Sequence, residues 1–111
     1  MRMLKAVTVA ACLGAATANA GFMDAKDLND LYEQQGPQES RTAAYTKLYG
    51  YVIGVHDLGD SILWCAPDGT RVAQLLKVVQ NHVSAHPESW NNTASDEVSK
   101  ALKAAWPCPQ K

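Results

Sequence analysis

The clearest pattern in the chain is a helical stripe of apolar residues within residues 71–85. Its members recur three or four positions apart: Val72, Leu75, Leu76, Val79 and Val83. This spacing predicts an amphipathic helix, with Thr70 as its cap and Pro87 just beyond its end. A final helix is predicted over residues 93–105, where a second apolar stripe is followed by proline.

Two further helices are predicted in the N-terminal half. Residues 24–34 begin with an acidic cap and place Leu28, Leu31 and Tyr32 on one face, and a Gly-Pro pair follows them. Residues 40–57 are apolar on more than one face, which is typical of a helix that is central in a core or shared with a partner subunit. Since no strand is convincing, the pattern predicts an all-α fold, a small four-helix bundle.

The helix predicted over residues 40–57 carries two features that concern its contacts. Tyr45, Tyr49 and Ile53 form a row beside its main apolar face, and we predict this row as a homodimer surface. Gly50 and Gly54 lie four residues apart and therefore on one side. We expect them to allow close packing in the bundle.

The first 20 residues have the layout of a secretory signal peptide. A basic start is followed by an uncharged, mostly apolar segment over residues 6–16 and by the small residues of Ala18-Asn19-Ala20. The apolar segment is too short for the roughly 20 residues that cross a bilayer. We therefore expect cleavage after Ala20 and a single periplasmic domain over residues 21–111, with acylation of Cys12 as the alternative.

Export determines how the two remaining cysteines are interpreted. An even pair in an oxidising compartment favours a disulfide between Cys65 and Cys108 over two free buried thiols. Cys65 precedes the third predicted helix and Cys108 follows the fourth. Consecutive helices with a short connection are antiparallel neighbours, so this disulfide would close the open end of the C-terminal helical hairpin.

The charge and motifs of the chain exclude several classes of function. Ten basic residues stand against 11 acidic ones, which argues against a nucleic-acid binder. No phosphate-binding, dinucleotide-binding or nucleophile motif is present, so we expect neither enzymatic activity nor a cofactor. His82 and His86 have a spacing that can hold a metal, with His56 or a carboxylate as third ligand. We favour the alternative that His86 ends its helix and His82 lies at the surface.

A resemblance to a known family rests on six short segments that occur in order. They are residues 51–55, 65–67, 74–75, 86–88, 101–102 and 106–108, of which Cys-Ala-Pro and the final Trp-Pro-Cys are the most specific. Together they resemble the Tai family of type VI amidase immunity proteins, also called resistance-associated immunity proteins. The resemblance implies that many relatives carry a second cysteine pair on the first two helices, where this chain has Tyr32 and, at or next to the matching position, Leu48.

The resemblance implies a small periplasmic homodimer that plugs the active site of a peptidoglycan amidase delivered by neighbouring cells. We take this non-enzymatic inhibitor as the predicted function. The alternatives are a general periplasmic binder of unfolded clients and, with less support, a metal-binding protein.

Trp90 draws attention to the segment of residues 88–92, because it stands among polar residues that are typical of recognition loops. The alternative is that its ring folds back to cap the hairpin. We predict that this segment and part of the preceding helix contact the amidase, through Glu88, Ser89, Trp90, Asn91, Asn92, Lys77, Gln80 and Asn81.

Overall fold

The computed structural model describes residues 22–110, and its four helices confirm the all-α prediction. They are α1 (Ala25–Tyr32), α2 (Gln38–Gly59), α3 (Val72–Ala85) and α4 (Ala94–Ala105), with one 3₁₀ turn (Pro87–Ser89) between the last two. Within this described part there is no strand beyond isolated bridges. The predicted signal peptide, residues 1–20, lies outside the described residues.

The start of α1 and the start of α3 show how local side chains set the helix bounds. Asp24 caps α1, since its Oδ1 accepts from the Asp27 N–H at 2.8 Å and Asp27 accepts in return from the Asp24 N–H at 3.2 Å. The prediction of Thr70 as the cap of α3 is wrong. The N-cap is Arg71, and the Thr70 hydroxyl instead donates to the Pro67 carbonyl at 2.6 Å, which closes the preceding turn.

One apolar core joins all four helices. Each helix contributes apolar residues that the 3.6-residue helical period places on one face. The buried members are Leu28 from α1, Leu48 and Val52 from α2, Leu75, Leu76, Val79 and Val83 from α3, and Ala94, Val98, Ala101 and Leu102 from α4.

The connection between α2 and α3 also supplies the largest fully buried side chain, Trp64. Its indole Nε1–H donates to Nδ1 of His56 at 3.0 Å. The ring fills the space beside Gly59, where an added Cβ would lie 2.6 Å from its Cζ2 atom. A turn at Ser61, with a left-handed φ of 69°, brings the indole back under α2. The connection between these two helices therefore contributes to the core.

The predicted disulfide is present between Cys65 and Cys108, whose Cα atoms lie 4.8 Å apart. The Cys65 N–H also donates to the Trp106 carbonyl at 2.8 Å. These two links join the segment before α3 to the segment after α4. They close the open end of the C-terminal hairpin as predicted.

Helix α2 presents one side to the core and leaves another exposed. Tyr45 and Tyr49 are 53% and 42% exposed, whereas Ile53 is half-buried against the core. The prediction that Gly50 and Gly54 allow close packing is wrong for this chain. Both are exposed, and a Cβ at either would meet no atom within 4 Å. None of the described helices has the length and apolar content needed to cross a bilayer.

Replacing Gly59 with alanine tests the packing of Trp64. We expect Gly59→Ala to lower the free energy of unfolding by about 1–3 kcal/mol, because the new methyl group overpacks a fully buried ring. Gly54→Ala is the matched control in the same helix. It should raise stability by about 0.5–1 kcal/mol, since its Cβ meets nothing. Urea unfolding measures both, and equal effects would contradict the assigned packing.

Removing the disulfide tests the closure of the hairpin. The bond spans 43 residues, and the chain-entropy relation gives about 4 kcal/mol for a loop of that length. We expect the Cys65→Ser, Cys108→Ser double variant to unfold at correspondingly lower urea concentration. Unchanged stability of that variant would show that packing alone holds the two helices.

Candidate partner-binding surface

The segment between α3 and α4 forms a folded turn at the end of the hairpin opposite the disulfide. The Ser89 N–H donates to the His86 carbonyl at 2.9 Å, the Trp90 N–H to the Pro87 carbonyl at 3.2 Å and the Asn92 N–H to the Ser89 carbonyl at 3.0 Å. We call residues 87–93 the α3–α4 loop. Because three of its backbone N–H groups donate to carbonyls of this turn, the loop has a defined shape before any partner binds.

Trp90 anchors the α3–α4 loop to the hairpin. Its Nε1–H donates to the Val83 carbonyl at 2.8 Å, and the half-buried ring packs against the core. Lys26 donates its N–H to the Trp90 carbonyl at 3.0 Å and holds Nζ 5.8 Å from the ring centroid. The ring thus folds back onto the hairpin, as in the capping alternative. A contact of Trp90 with a partner remains a prediction.

The start of α1 is joined to the same loop through the backbone. The Ala25 N–H donates to the Asn92 carbonyl at 2.9 Å, and the Ala94 N–H donates to the Met23 carbonyl at 2.9 Å. The first N–H group of α1 and that of α4, which have no partner within their own helices, therefore each donate to a carbonyl that precedes the other helix. The α3–α4 loop is fixed from three sides: by α3, by α4 and by α1.

A buried carboxylate, Glu97, holds the inner side of the loop. Its side chain is 2% exposed. Its Oε1 lies 3.0 Å from Nε2 of His82, and its Oε2 accepts from Nδ2 of Asn92 at 2.9 Å and from Nζ of Lys100 at 3.0 Å. Glu97 thus connects the last turn of α3, the loop and α4. Each oxygen of this buried carboxylate therefore has at least one hydrogen-bond partner, which offsets the cost of burying its charge.

The ionisation of Glu97 depends on a balance between burial and its partners. Burial opposes the charged form, but the hydrogen bonds from Asn92, His82 and Lys100, together with the positive charge of Lys100, outweigh it and lower the pKa of Glu97. The carboxylate is therefore ionised at neutral pH. In that form it accepts hydrogen bonds from the loop.

The His82-His86 pair, considered above as a metal site, has other partners. Their rings stack with centroids 4.3 Å apart. Nε2 of His82 lies 3.0 Å from Oε1 of Glu97, and Nδ1 of His86 lies 2.7 Å from the His82 carbonyl oxygen. His86 satisfies the end of α3, as in the favoured alternative. Within residues 22–110 no group of three His, Cys, Asp or Glu side chains is arranged so that it could hold a metal ion.

The residues predicted to contact a partner fall into two separate places. In the α3–α4 loop, the side chains of Glu88 and Asn91 are exposed, whereas those of Ser89, Trp90 and Asn92 are half-buried. On α3, Lys77 and Asn81 are exposed and Gln80 is half-buried. Lys77 and Gln80 line a groove that does not include the loop.

This groove lies between α1, α2 and α3 and has a volume of about 360 Å³. It brings Lys77 and Gln80 together with Tyr45 of the predicted dimer surface. Tyr32 forms part of its wall and donates its hydroxyl to the Leu76 carbonyl at 2.7 Å. Burial raises the pKa of Tyr32, which keeps that donor protonated. Tyr32 and Leu48, at which the resemblance to the Tai family implies a second cysteine pair in relatives, both line this groove.

Two residues that matter to these surfaces are missing from the predicted set. Glu97 had a signal in the sequence, because Ala94, Glu97, Val98 and Ala101 follow one helical stripe and only one of them is charged. Arg41 of α2 lines the groove. It had no local signal, because the groove depends on how three helices are placed together.

The described residues form a small helical domain with a hairpin closed by a disulfide and a hydrogen-bonded loop at its other end. A family model described as Rap1a immunity proteins matches residues 24–108, and the chain belongs to this family of immunity proteins. The match confirms the broader part of the resemblance, namely an immunity protein family. Comparison with the curated proteins gives no match.

Glu97→Gln tests whether the buried carboxylate holds the loop. We expect the variant to lose about 1–3 kcal/mol at pH 7, because an amide cannot accept from His82, Asn92 and Lys100 together. Urea unfolding at a series of pH values measures the loss. Glu88→Gln, at an exposed position of the same loop, should change stability by less than about 0.5 kcal/mol.

The pH dependence of the difference in unfolding free energy between wild type and Glu97→Gln has a defined sign. Because folding lowers the pKa of Glu97, its ionised form stabilises the fold above the ordinary value of 4.5. That contribution is lost as the pH falls through the lowered pKa. The difference between wild type and Glu97→Gln should therefore be constant above pH 4.5 and shrink below it. A difference independent of pH would contradict the role of the charge.

Proposed function

We propose that this protein is a periplasmic immunity protein of a type VI secretion system that binds and blocks a peptidoglycan amidase effector. The observation that carries the proposal is membership of the Rap1a immunity family over residues 24–108. An immunity protein acts by binding a toxic partner, so its role is that of a non-catalytic inhibitor. The choice of an amidase as the partner rests on the sequence resemblance to the Tai family.

The architecture of the α3–α4 loop supports an inhibitory role. A blocking element loses less entropy on binding when it is already ordered. Here Trp90, Asn92 and Glu97 fix the loop from inside, while Glu88 and Asn91 project from it. We infer that these two exposed side chains make the main contacts with the effector.

The periplasmic location rests on the sequence of residues 1–20, whose pattern is that of a cleaved leader. The disulfide between Cys65 and Cys108 supports it, because such bonds persist in oxidising compartments. An effector that attacks peptidoglycan would be met in the same compartment.

Homodimerisation remains a proposal for the exposed side of α2. Tyr45 and Tyr49 are available on the surface, with ring centroids 6.0 Å apart. Ile53, the third predicted member of this surface, packs partly against the core of its own chain. A dimer surface would therefore centre on the two tyrosines.

A general binder of unfolded clients is the second candidate function. One observation favours it: Leu58, Ile62 and Leu63 are 82%, 75% and 51% exposed around the turn that follows α2. Exposed aliphatic residues of this kind can contact apolar segments without selecting one partner.

Inhibition of purified amidases tests the proposed function. We expect the exported protein to inhibit at least one type VI peptidoglycan amidase at near-stoichiometric concentration and to leave unrelated hydrolases active. Glu88→Arg should weaken that inhibition at least about tenfold, since it reverses a charge on the leading edge of the loop.

Asp57→Arg is the matched control for charge reversal, because Asp57 is exposed on α2. It should retain full inhibition. Binding to denatured proteins without inhibition of any amidase would favour the client-binding function. Equal inhibition by the Glu88→Arg and Asp57→Arg variants would show that the loop does not contact the amidase.

A further inference from the structure

The groove between α1, α2 and α3 has the form of a docking site for side chains. Its floor is apolar, formed by Leu31, Leu48 and Leu76. Its volume of about 360 Å³ accommodates two or three side chains of a partner. Tyr32 and Tyr45 add aromatic walls, which are common where proteins recognise each other.

The rim of this groove is positively charged. Arg41 of α2 and Lys77 of α3 both line it, and no lining residue carries a carboxylate. Neither cation forms a salt bridge within residues 22–110. The chain as a whole has more acidic than basic residues, 11 against 10. Two uncompensated cations over an apolar floor therefore favour an occupant that is both anionic and apolar.

Arg41 is suited to a carboxylate because only part of its guanidinium is occupied. Its Nε–H donates to the Gly36 carbonyl at 3.2 Å, which orients the side chain at the end of the turn between α1 and α2. No other hydrogen bond of this guanidinium is formed within the described part of the chain. The terminal N–H groups can therefore form a bidentate pair with a partner's carboxylate.

The rim also carries two amide side chains, Gln34 and Gln80. Gln80 makes no side-chain hydrogen bond to the residues that the structure describes, and an amide both donates and accepts. A peptide backbone offers the matching N–H and C=O groups, whereas the acyl chain of a lipid offers neither. The rim therefore favours a polypeptide over a fatty acid.

We infer that this groove binds a short acidic segment of the effector that inserts one or two apolar side chains between α1, α2 and α3. The apolar side chains lie on Leu48 and Leu76, and the flanking carboxylates pair with Arg41 and Lys77. The identity of the occupant as an effector segment rests on the proposed function. The recognition chemistry rests only on the groove.

Peptide titration followed by ¹⁵N NMR of the exported protein tests the inference. The probe is an eight-residue peptide with a central Leu-Phe pair flanked on each side by aspartates. We expect it to shift the amide signals of groove residues with a Kd of about 1 mM or lower. The same peptide with lysines in place of aspartates should bind at least about tenfold more weakly.

Charge-reversed variants provide the decisive comparison. Arg41→Glu with Lys77→Glu should abolish binding of the acidic peptide and create binding of the lysine peptide. Lys103→Glu is the control, because Lys103 is an exposed lysine of α4 outside the groove. It should bind the acidic peptide like wild type. Failure of the acidic peptide to shift groove residues, or equal binding of both peptides, would overturn the inference.

Two further measurements identify a different occupant. Tighter binding of sodium dodecanoate than of the acidic peptide would assign the groove to a lipid and overturn the inference. Dissociation of a wild-type dimer by the Arg41→Glu, Lys77→Glu substitutions, seen by sedimentation, would assign it to a second copy of the chain and overturn the inference as well.

The inhibition assay separates this inference from the proposed function. If wild type inhibits an amidase and the Arg41→Glu, Lys77→Glu variant inhibits it equally well, the groove inference fails and the proposed function stands. If wild type inhibits no amidase, the proposed function fails. The peptide titration then still decides whether the groove recognises acidic, apolar segments.

Discussion

The buried carboxylate of Glu97 is the interaction on which the loop end of the hairpin depends. One side chain accepts from α3, from the α3–α4 loop and from α4, and the loop in turn accepts backbone hydrogen bonds from the start of α1. A buried charge is stable only while its partners remain in place, so the network permits one arrangement of these four segments. At the opposite end of the hairpin, the disulfide joins the segment before α3 to the segment after α4. Between them the hairpin becomes a rigid support for exposed side chains.

Much of the fold could be predicted because its determinants are local. Apolar stripes in α1, α3 and α4 follow the helical period, and the Gly36-Pro37 and His86-Pro87 pairs mark ends that the structure retains. The disulfide was predicted from an even pair of cysteines in an exported chain, and the antiparallel hairpin agrees with it because it brings Cys65 and Cys108 together. The mixed faces of α2 left two interpretations open, a central helix or a helix shared with a partner subunit, and in the structure one side of α2 packs on the core while Tyr45 and Tyr49 are exposed. They did not predict that Gly50 and Gly54 face away from it.

The candidate surfaces were less predictable because they depend on tertiary placement. Trp64 lies in a stretch with turn residues, and its burial follows from the left-handed backbone at Ser61, which no periodicity reports. Trp90 has polar neighbours in sequence but packs onto α3 in space. The groove arises from three helices, so Arg41 and Lys77 meet at its rim although 36 positions separate them.

Amide hydrogen exchange in the free protein tests the central claim, that the loop is ordered before any partner binds. The amides of Ser89, Trp90 and Asn92 donate within the loop. We expect their protection factors at neutral pH to be comparable with those of the buried turns of α3 and α4, and to fall together once Glu97 becomes protonated. Unprotected amides at these three positions, beside well-protected helices, would contradict the account.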